Sequence, residues 1–206
     1  MLTRVLALVC AMSAALAWAG APSPEMKLWK TEASPRDDII IEHFATESGK
    51  HEIWLATKKG AADQALLYAH ERHADVLMSP DERWLVINDH TGSNVSEALL
   101  FRRAEGIRYS EVKEAEISAK AWRLFAQRRG LAKPPRYSHD YTNAIRWGSD
   151  SKAFLASVEG HDPIDGNGRE PEAVDPWLFV FDATALRPSL DLGLLNRGAL
   201  HATGGD

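Results

Sequence analysis

The segment DVLMSPDERWLVINDHTGSNVSEALLFRR, residues 75–103, carries the clearest structural pattern in this sequence. It holds three short runs of apolar, β-branched and aromatic residues: Val76–Met78, Trp84–Asn88 and Ala98–Phe101. Between the first two runs, Pro80 presets φ at the second position of a turn, and Asp81 can hydrogen-bond to the backbone that follows it. Short runs of this composition, bounded by turn residues, are typical of β-strands. The segment therefore predicts an antiparallel meander.

The same pattern continues on both sides of this segment. Further strands are predicted at residues 38–45, 51–57, 65–70, 107–112, 143–147, 153–158 and 177–181. Residues 118–129 differ, because Ile117, Ala121, Leu124 and Phe125 recur at helical spacing and form one apolar stripe. Gly130 suits the position after a helix end. We therefore predict one α-helix that covers a sheet.

One part of the pattern occurs twice. Residues 143–159 repeat the order of residues 76–89, with Asp150 in place of Asp81, an offset of 69 residues. The unit of apolar run, Ser-Pro-Asp turn, apolar run, polar loop and apolar run resembles a blade of the TolB-type β-propeller, in which such a turn joins the innermost strand to the second. Ser79-Pro80-Asp81 matches that turn, whereas Gly148-Ser149-Asp150 lacks the proline.

The resemblance implies a mostly β fold. Its antiparallel meander sheets would resemble two to three propeller-like blades, with one covering α-helix. A closed propeller needs four or more blades of four strands, whereas about ten strands are predicted here. The units would therefore stack openly or close by self-association, and a plain antiparallel sandwich is the alternative. The family's peptidase relatives carry a separate hydrolase domain, and this sequence contains no G-x-S-x-G motif for that chemistry.

The beginning of the chain reads as a signal peptide. Arg4 supplies a positive charge, an apolar segment too short to span a membrane follows, and Ala17-Trp18-Ala19 provides a cleavage site. Cys10 suggests a lipoprotein, but Val9 before it is not a small residue. We divide the chain into a signal peptide (1–19), an N-terminal lead-in with little regular structure (20–36), a β-rich blade-like domain (37–189) and a C-terminal tail (190–206). The expected location is periplasmic or secreted, without stable membrane insertion after cleavage near Ala19.

Charge and cysteine content narrow the function classes. The chain has 24 basic and 29 acidic residues, a formal net charge of −5. Such a balance argues against nucleic acid as a partner, since unspecific binding needs basic surface. The single cysteine lies in the predicted signal peptide. A processed chain would therefore contain no disulfide, and its stability would depend on its hydrophobic core.

The blade pattern also predicts where polar residues gather. The chain reverses at each loop of an up-and-down sheet, so alternate loops lie at opposite edges. One edge, or rim, would receive six of the eight histidines, and histidine suits proton transfer and metal ligation. These six are His51, His70, His73, His90, His139 and His161, and the same rim would receive Asp75, Asp89, Asn94, Asp140, Asp162 and Asp165. We take the following as ligand-binding candidates: His73, Asp89, His90, Asn94, His139, Asp140 and His161. The turns at the other rim contain no histidine.

Other chemistry is less well supported, and we assign no catalytic residue, metal ligand or cofactor. His70 and His73 lack the spacing of a zinc-binding helix. Residues 162–170 do not fit the positions of a calcium loop. Ser93 and Ser96 follow His90 closely, but nothing in the sequence orients that histidine. The tryptophans that would form a carbohydrate platform, Trp54, Trp84, Trp147 and Trp177, adjoin apolar runs and are expected in the core.

These observations favour an exported, non-catalytic β-repeat protein. It would bind a protein partner or a small polar ligand at the histidine-bearing rim. The alternative is a periplasmic hydrolase or metal-assisted enzyme that uses the histidine and aspartate residues of the loops. A carbohydrate-binding protein with exposed tryptophans is a third hypothesis.

Overall fold

The computed structural model describes residues 20–58, 60–164 and 173–197. The predicted signal peptide at 1–19 and the last nine residues of the predicted tail lie outside the described residues. Within the described ranges, no helix is long and apolar enough to cross a membrane.

The described strands fall into three groups of four, which we call the first, second and third blade. The first blade contains β1 (Lys27–Ala33), β2 (Ile39–Ala45), β3 (His51–Thr57) and β4 (Gly60–His70). The second contains β5 (His73–Met78), β6 (Trp84–His90), β7 (Val95–Glu105) and β8 (Arg108–Glu111). The third contains β9 (Tyr137–Trp147), β10 (Ala153–Pro163), β11 (Ala173–Asp182) and β12 (Arg187–Ser189). Consecutive strands within each blade pair antiparallel, which confirms the predicted mostly β class.

The three blades make two sheets. Strands β1 to β4 form one sheet in chain order. The second and third blades form an eight-stranded sheet in the order β12-β11-β10-β9-β7-β6-β5, with β8 paired to β7. They join where β7 and β9 pair in parallel, Val95 opposite Asp140 and Ser96 opposite Tyr141. The described strands leave both sheets open, so the blades form an open stack.

A first hydrophobic core lies between the first and second blades. Ile39 and Ile41 of β2 pack in it with Leu85 and Ile87 of β6. Successive side chains of a strand point to opposite faces, so Val86 faces the third blade and enters the second core. The second blade is therefore buried on both faces, which explains why β6 reads as a continuous apolar run rather than an alternating one.

A second core lies between the second and third blades, and α1 (Ile117–Arg129) covers it. This confirms the predicted covering helix. The buried face of the helix differs from the predicted stripe, because Leu124 is only half-buried. Trp122 is buried instead and packs edge-to-face on Phe125 with 5.4 Å between ring centroids. Aromatic rings of the third blade complete this core, with Phe154 and Phe181 stacked at 5.4 Å.

Regular structure extends beyond the predicted strands at both ends of the domain. Strand β1 lies inside the segment 20–36, so the expectation of little regular structure is wrong for residues 27–33. Its sequence is mostly polar because it is an exposed edge strand, ordered by backbone pairing with β2. Within the predicted tail, α2 (Gly193–Asn196) packs Leu195 against the outer face of the third blade.

In each blade, the same kind of six-residue turn joins the first strand to the second. The N–H of the first residue donates to the C=O of the last in Ser34–Ile39 (2.9 Å), Ser79–Trp84 (2.8 Å) and Gly148–Ala153 (2.8 Å). The fourth residue has positive φ in all three: Asp37 (60°), Glu82 (59°) and Ser151 (60°). The predicted correspondence between the second and third copies is therefore confirmed in backbone geometry. The first copy lies in the segment predicted as lead-in.

Candidate functional site

Five neighbouring strands of the eight-stranded sheet present polar residues at the same end of the strands, and we call this row of strand ends the histidine rim. Its members are the seven sequence-predicted residues His73, Asp89, His90, Asn94, His139, Asp140 and His161. The strand pairing places them there: His73 lies opposite His90, and His161 lies opposite His139. Between these pairs, the C=O of Asn94 accepts a hydrogen bond from the N–H of Asp140 at 2.8 Å. The turns Ser79–Trp84 and Gly148–Ala153 lie at the opposite edge.

The first group on the rim consists of His73, Asp75 and His90. The rings of His73 and His90 lie 5.4 Å apart between centroids, and His73 Nε2 lies 3.3 Å from Asp75 Oδ2. One ligand-type atom from each of the three side chains lies within 4.8 Å of the other two. Within the described ranges, no other trio of His, Cys, Asp or Glu meets that distance.

The second group consists of His139, His161 and Asp162. His139 Nδ1 lies 3.2 Å from Asp162 Oδ2 and 3.1 Å from the hydroxyl of Ser138. The strand order β5, β6, β7, β9, β10 puts His73 and His161 four strand spacings apart, which is about 19 Å. The rim is therefore a row of two polar groups rather than one convergent pocket.

Two of the predicted rim residues turn their carboxylates into the blade interfaces. Asp89 is buried, and its Oδ2 accepts a 2.6 Å hydrogen bond from the hydroxyl of Tyr68 in the first blade. Asp140 Oδ1 accepts a 2.9 Å hydrogen bond from the indole of Trp122, and burial raises the pKa of Asp140. Both side chains connect packed elements, which leaves the histidines and Asn94 as the outward-facing part of the rim.

Three further histidines lie behind the rim, between the first and second blades. His51 and His70 stack with 5.2 Å between ring centroids, and His43 Nε2 lies 3.0 Å from Glu32. Burial, followed by the charge of His51, lowers the pKa of His70 to about 4. Burial also lowers the pKa of His43, against the raising effect of Glu32. Sequence reasoning placed His51 and His70 in the rim loops, but strand alternation puts both side chains on the buried face of the first blade.

Asp75 and Asp162 belong to the two groups, although neither is among the seven ligand-binding candidates. Asp75 lies two residues after His73 on β5, so both side chains point to the same face. That spacing is visible in the sequence, which also predicts that β5 and β6 pair. The structure adds the register of the pairing, which places His90 directly opposite His73.

The structure also bears on the alternative chemistries. The hydroxyl of Ser93 donates to Asn94 Oδ1 (2.8 Å) and that of Ser96 to Asn143 Oδ1 (2.9 Å), so neither is hydrogen-bonded to His90. Trp54 is buried, whereas Trp84, Trp147 and Trp177 are half-buried and pack against the second core. Most of the segment considered as a calcium loop, residues 165–170, lies outside the described residues.

Comparison with known proteins gives no family. No protein-family profile and no curated protein matches the chain. Among solved structures, it is similar to TolB from Acinetobacter baumannii, with 12% identity over 80% of this chain and 32% of that one, at a TM-score of 0.42. It is also similar to an acylaminoacyl peptidase from Pyrococcus horikoshii, with 12% identity over 79% and 24%, at a TM-score of 0.41. A third similar structure is a putative 6-phosphogluconolactonase from Bacteroides uniformis, with 13% identity over 76% and 44%, at a TM-score of 0.34. The chain thus spans less than half the length of each.

Proposed function

We propose that the protein is an exported, non-catalytic β-repeat protein that binds a protein partner along the histidine rim. The observation that carries the proposal is the row of outward-facing polar side chains on five neighbouring strand ends. A row about 19 Å long, at about 4.8 Å per strand spacing, matches an extended protein surface better than a small ligand. Partner binding is therefore favoured over the small polar ligand.

The geometry argues against one form of catalysis, nucleophilic attack by a serine. Nucleophilic catalysis requires a hydroxyl within hydrogen-bond reach of an oriented base. The two serine hydroxyls nearest to His90 in sequence, those of Ser93 and Ser96, donate instead to Asn94 and Asn143. The rim histidines supply hydrogen-bonding and charge-pairing surface without such an arrangement.

Site-specific photo-crosslinking tests the proposal. A benzophenone amino acid would replace exposed Asn94 on the histidine rim or, as a matched control, exposed Lys152 on the opposite edge. In the native host, we expect a discrete adduct with another protein from position 94 and none from position 152. The double variant His90→Asn/His139→Asn should reduce the adduct and leave the melting temperature nearly unchanged. Equal adducts from both edges, or an adduct that survives the double variant, would contradict rim binding.

Export has its own test. Cleavage after Ala19 would leave Gly20 as the first residue of the mature protein. Mass spectrometry of the protein recovered from the native host should give the mass of residues 20–206. A recovered chain that still begins at Met1 would overturn the export proposal without affecting the rim.

A further inference from the structure

We propose that His73, Asp75 and His90 form a binding site for a divalent transition-metal ion, with Zn²⁺ as the reference ion. Metal binding at this site is separate from partner binding, because one chain supplies all three side chains and no partner is needed. It rests on the mutual approach of their ligand atoms to within 4.8 Å.

The backbone brings these side chains together. His73 and Asp75 occupy alternate positions of β5 and therefore share a face. His90 lies directly opposite His73 in the antiparallel pairing of β5 and β6. Directly opposite residues have Cβ atoms about 4.5–5.5 Å apart, so their imidazoles can converge on one ion. Positions on paired strands hold ligands more rigidly than positions on loops.

The spacing of the ligand atoms fits zinc coordination. Zinc bonds to histidine nitrogen and carboxylate oxygen measure about 2.0–2.2 Å, which puts the ligand atoms of a tetrahedral ion about 3.3–3.6 Å apart. The 3.3 Å between His73 Nε2 and Asp75 Oδ2 already meets this requirement. Side-chain rotation of His90, which lies at the end of β6, can complete the site.

The residue types select the class of metal. Imidazole suits zinc, copper, iron and nickel, whereas calcium and magnesium prefer sites made of oxygen ligands. Two imidazoles and one carboxylate therefore favour the transition metals. Three protein ligands leave a fourth tetrahedral position for water. The side chains of His73 and Asp75 are 53% and 44% exposed, so solvent can reach the site.

The second group on the rim provides a matched control. His139, His161 and Asp162 contain the same residue types at the same edge, and His139 lies 3.2 Å from Asp162. Within the described ranges, however, their ligand atoms do not all approach one another within the distance that the first trio meets. A metal held by coordination geometry should depend on the first trio. A metal held by surface histidines in general should depend on both.

The experiment is a Zn²⁺ titration of the tag-free, metal-stripped chain by isothermal calorimetry, with Co²⁺ absorption as a second readout of nitrogen and oxygen ligation. We expect one ion per chain. Since even indirect partners of ligands are worth about 10–100-fold in affinity, His73→Asn, Asp75→Asn and His90→Asn should each weaken binding by about tenfold or more. The His139→Asn/His161→Asn control should bind as the unsubstituted chain does.

Three outcomes would overturn the metal site: no binding by the unsubstituted chain, unchanged binding by the trio variants, or an equal loss in the control. Asp75→Asn keeps the test valid if a histidine variant fails to fold, because the Asp75 side chain is 44% exposed. Repeating the Asn94 crosslinking in chelator separates the two proposals. An adduct that persists without metal, together with no Zn²⁺ binding, would reject the metal site and retain partner binding.

Discussion

At the scale of single residues, the buried Glu82 joins two blades. Its Oε1 accepts hydrogen bonds from the Ser34 hydroxyl (2.5 Å) and the Arg36 N–H (3.0 Å) in the turn of the first blade. Its Oε2 lies 3.6 Å from Arg103. Ser151, the equivalent residue of the next copy, accepts from the N–H of Asp81 at 2.9 Å. In the second and third blades, the positive-φ residue of the turn thus contacts the turn of the preceding blade.

Replacing Glu82 should therefore destabilise the stack. Glu82→Ala leaves buried donors without an acceptor, which should lower the free energy of unfolding by about 3 kcal/mol. Glu82→Gln keeps an acceptor oxygen and should cost less. Urea denaturation measures both, with exposed Glu111→Ala as the control that should change little. Equal stability of Glu82→Ala and the control would show that the carboxylate does not link the blades.

His70 should make stability depend on pH. Its pKa is about 4 in the folded protein against an ordinary value of 6.5, so below pH 6.5 the unfolded chain binds a proton that the folded chain excludes. As far as His70 is concerned, the free energy of unfolding has its full value above pH 6.5. It decreases as the pH falls towards 4, by up to about 1.4 kcal/mol per pH unit. Urea unfolding across this range should give a shallower pH slope for His70→Leu. Identical slopes would contradict the prediction.

At the scale of elements, β10 depends on a close approach between a backbone and a ring. Gly160 lies beneath the ring of buried Tyr137, and a Cβ at this position would overlap Cδ2 of that ring. Gly160→Ala should therefore force Tyr137 to move, at a cost of about 1–3 kcal/mol typical of overpacking. Gly92→Ala is the control, because a Cβ there has no atom nearer than 3.7 Å. Thermal denaturation should separate the two variants, and matching melting temperatures would show that Tyr137 moves without cost.

Elements also differ in how far local sequence predicts them. Helix α1 has a local signal, since Ile117, Ala121 and Phe125 repeat at its period and Gly130 follows its end. Strand β1 has none, because it lies at an edge and buries little of its own surface. Its order comes from hydrogen bonds to β2, which depend on a partner strand that local composition does not reveal.

At the scale of the whole molecule, the two cores share the second blade, so unfolding should be cooperative. Phe154→Ala in the second core should lower the free energy of unfolding by about 3–5 kcal/mol. Leu85 and Val86 bury opposite faces of the same strand. The variant should therefore destabilise the first core together with the second. Tryptophan fluorescence and far-UV circular dichroism should report one coincident transition for the parent and the variant. Two separated transitions would show that the blades unfold independently.

The open stack should remain a monomer. Strand β1 is a free edge, but Lys27 and Lys30 on it pair with Glu47 (2.6 Å) and Glu32 (2.8 Å). Charged side chains on an edge strand oppose pairing with another sheet. We therefore expect sedimentation velocity to give a monomer rather than a ring closed by self-association. A dimer that Trp29→Lys abolishes would contradict this, since Trp29 is 51% exposed on the same strand.

Local chemistry accounts for much of what could be foreseen. Turn residues and alternation are properties of short segments, so they identified the meander around Pro80, its second copy around Asp150 and the covering helix. The sequence also predicted the rim on which the histidines lie, since this depends only on how often the chain reverses. Contacts between distant segments settled the rest. The division of the rim into two groups and the burial of Glu82 and His70 depend on which strands pair and which faces stack. Those choices minimise the free energy of the folded chain as a whole, and no short segment encodes them.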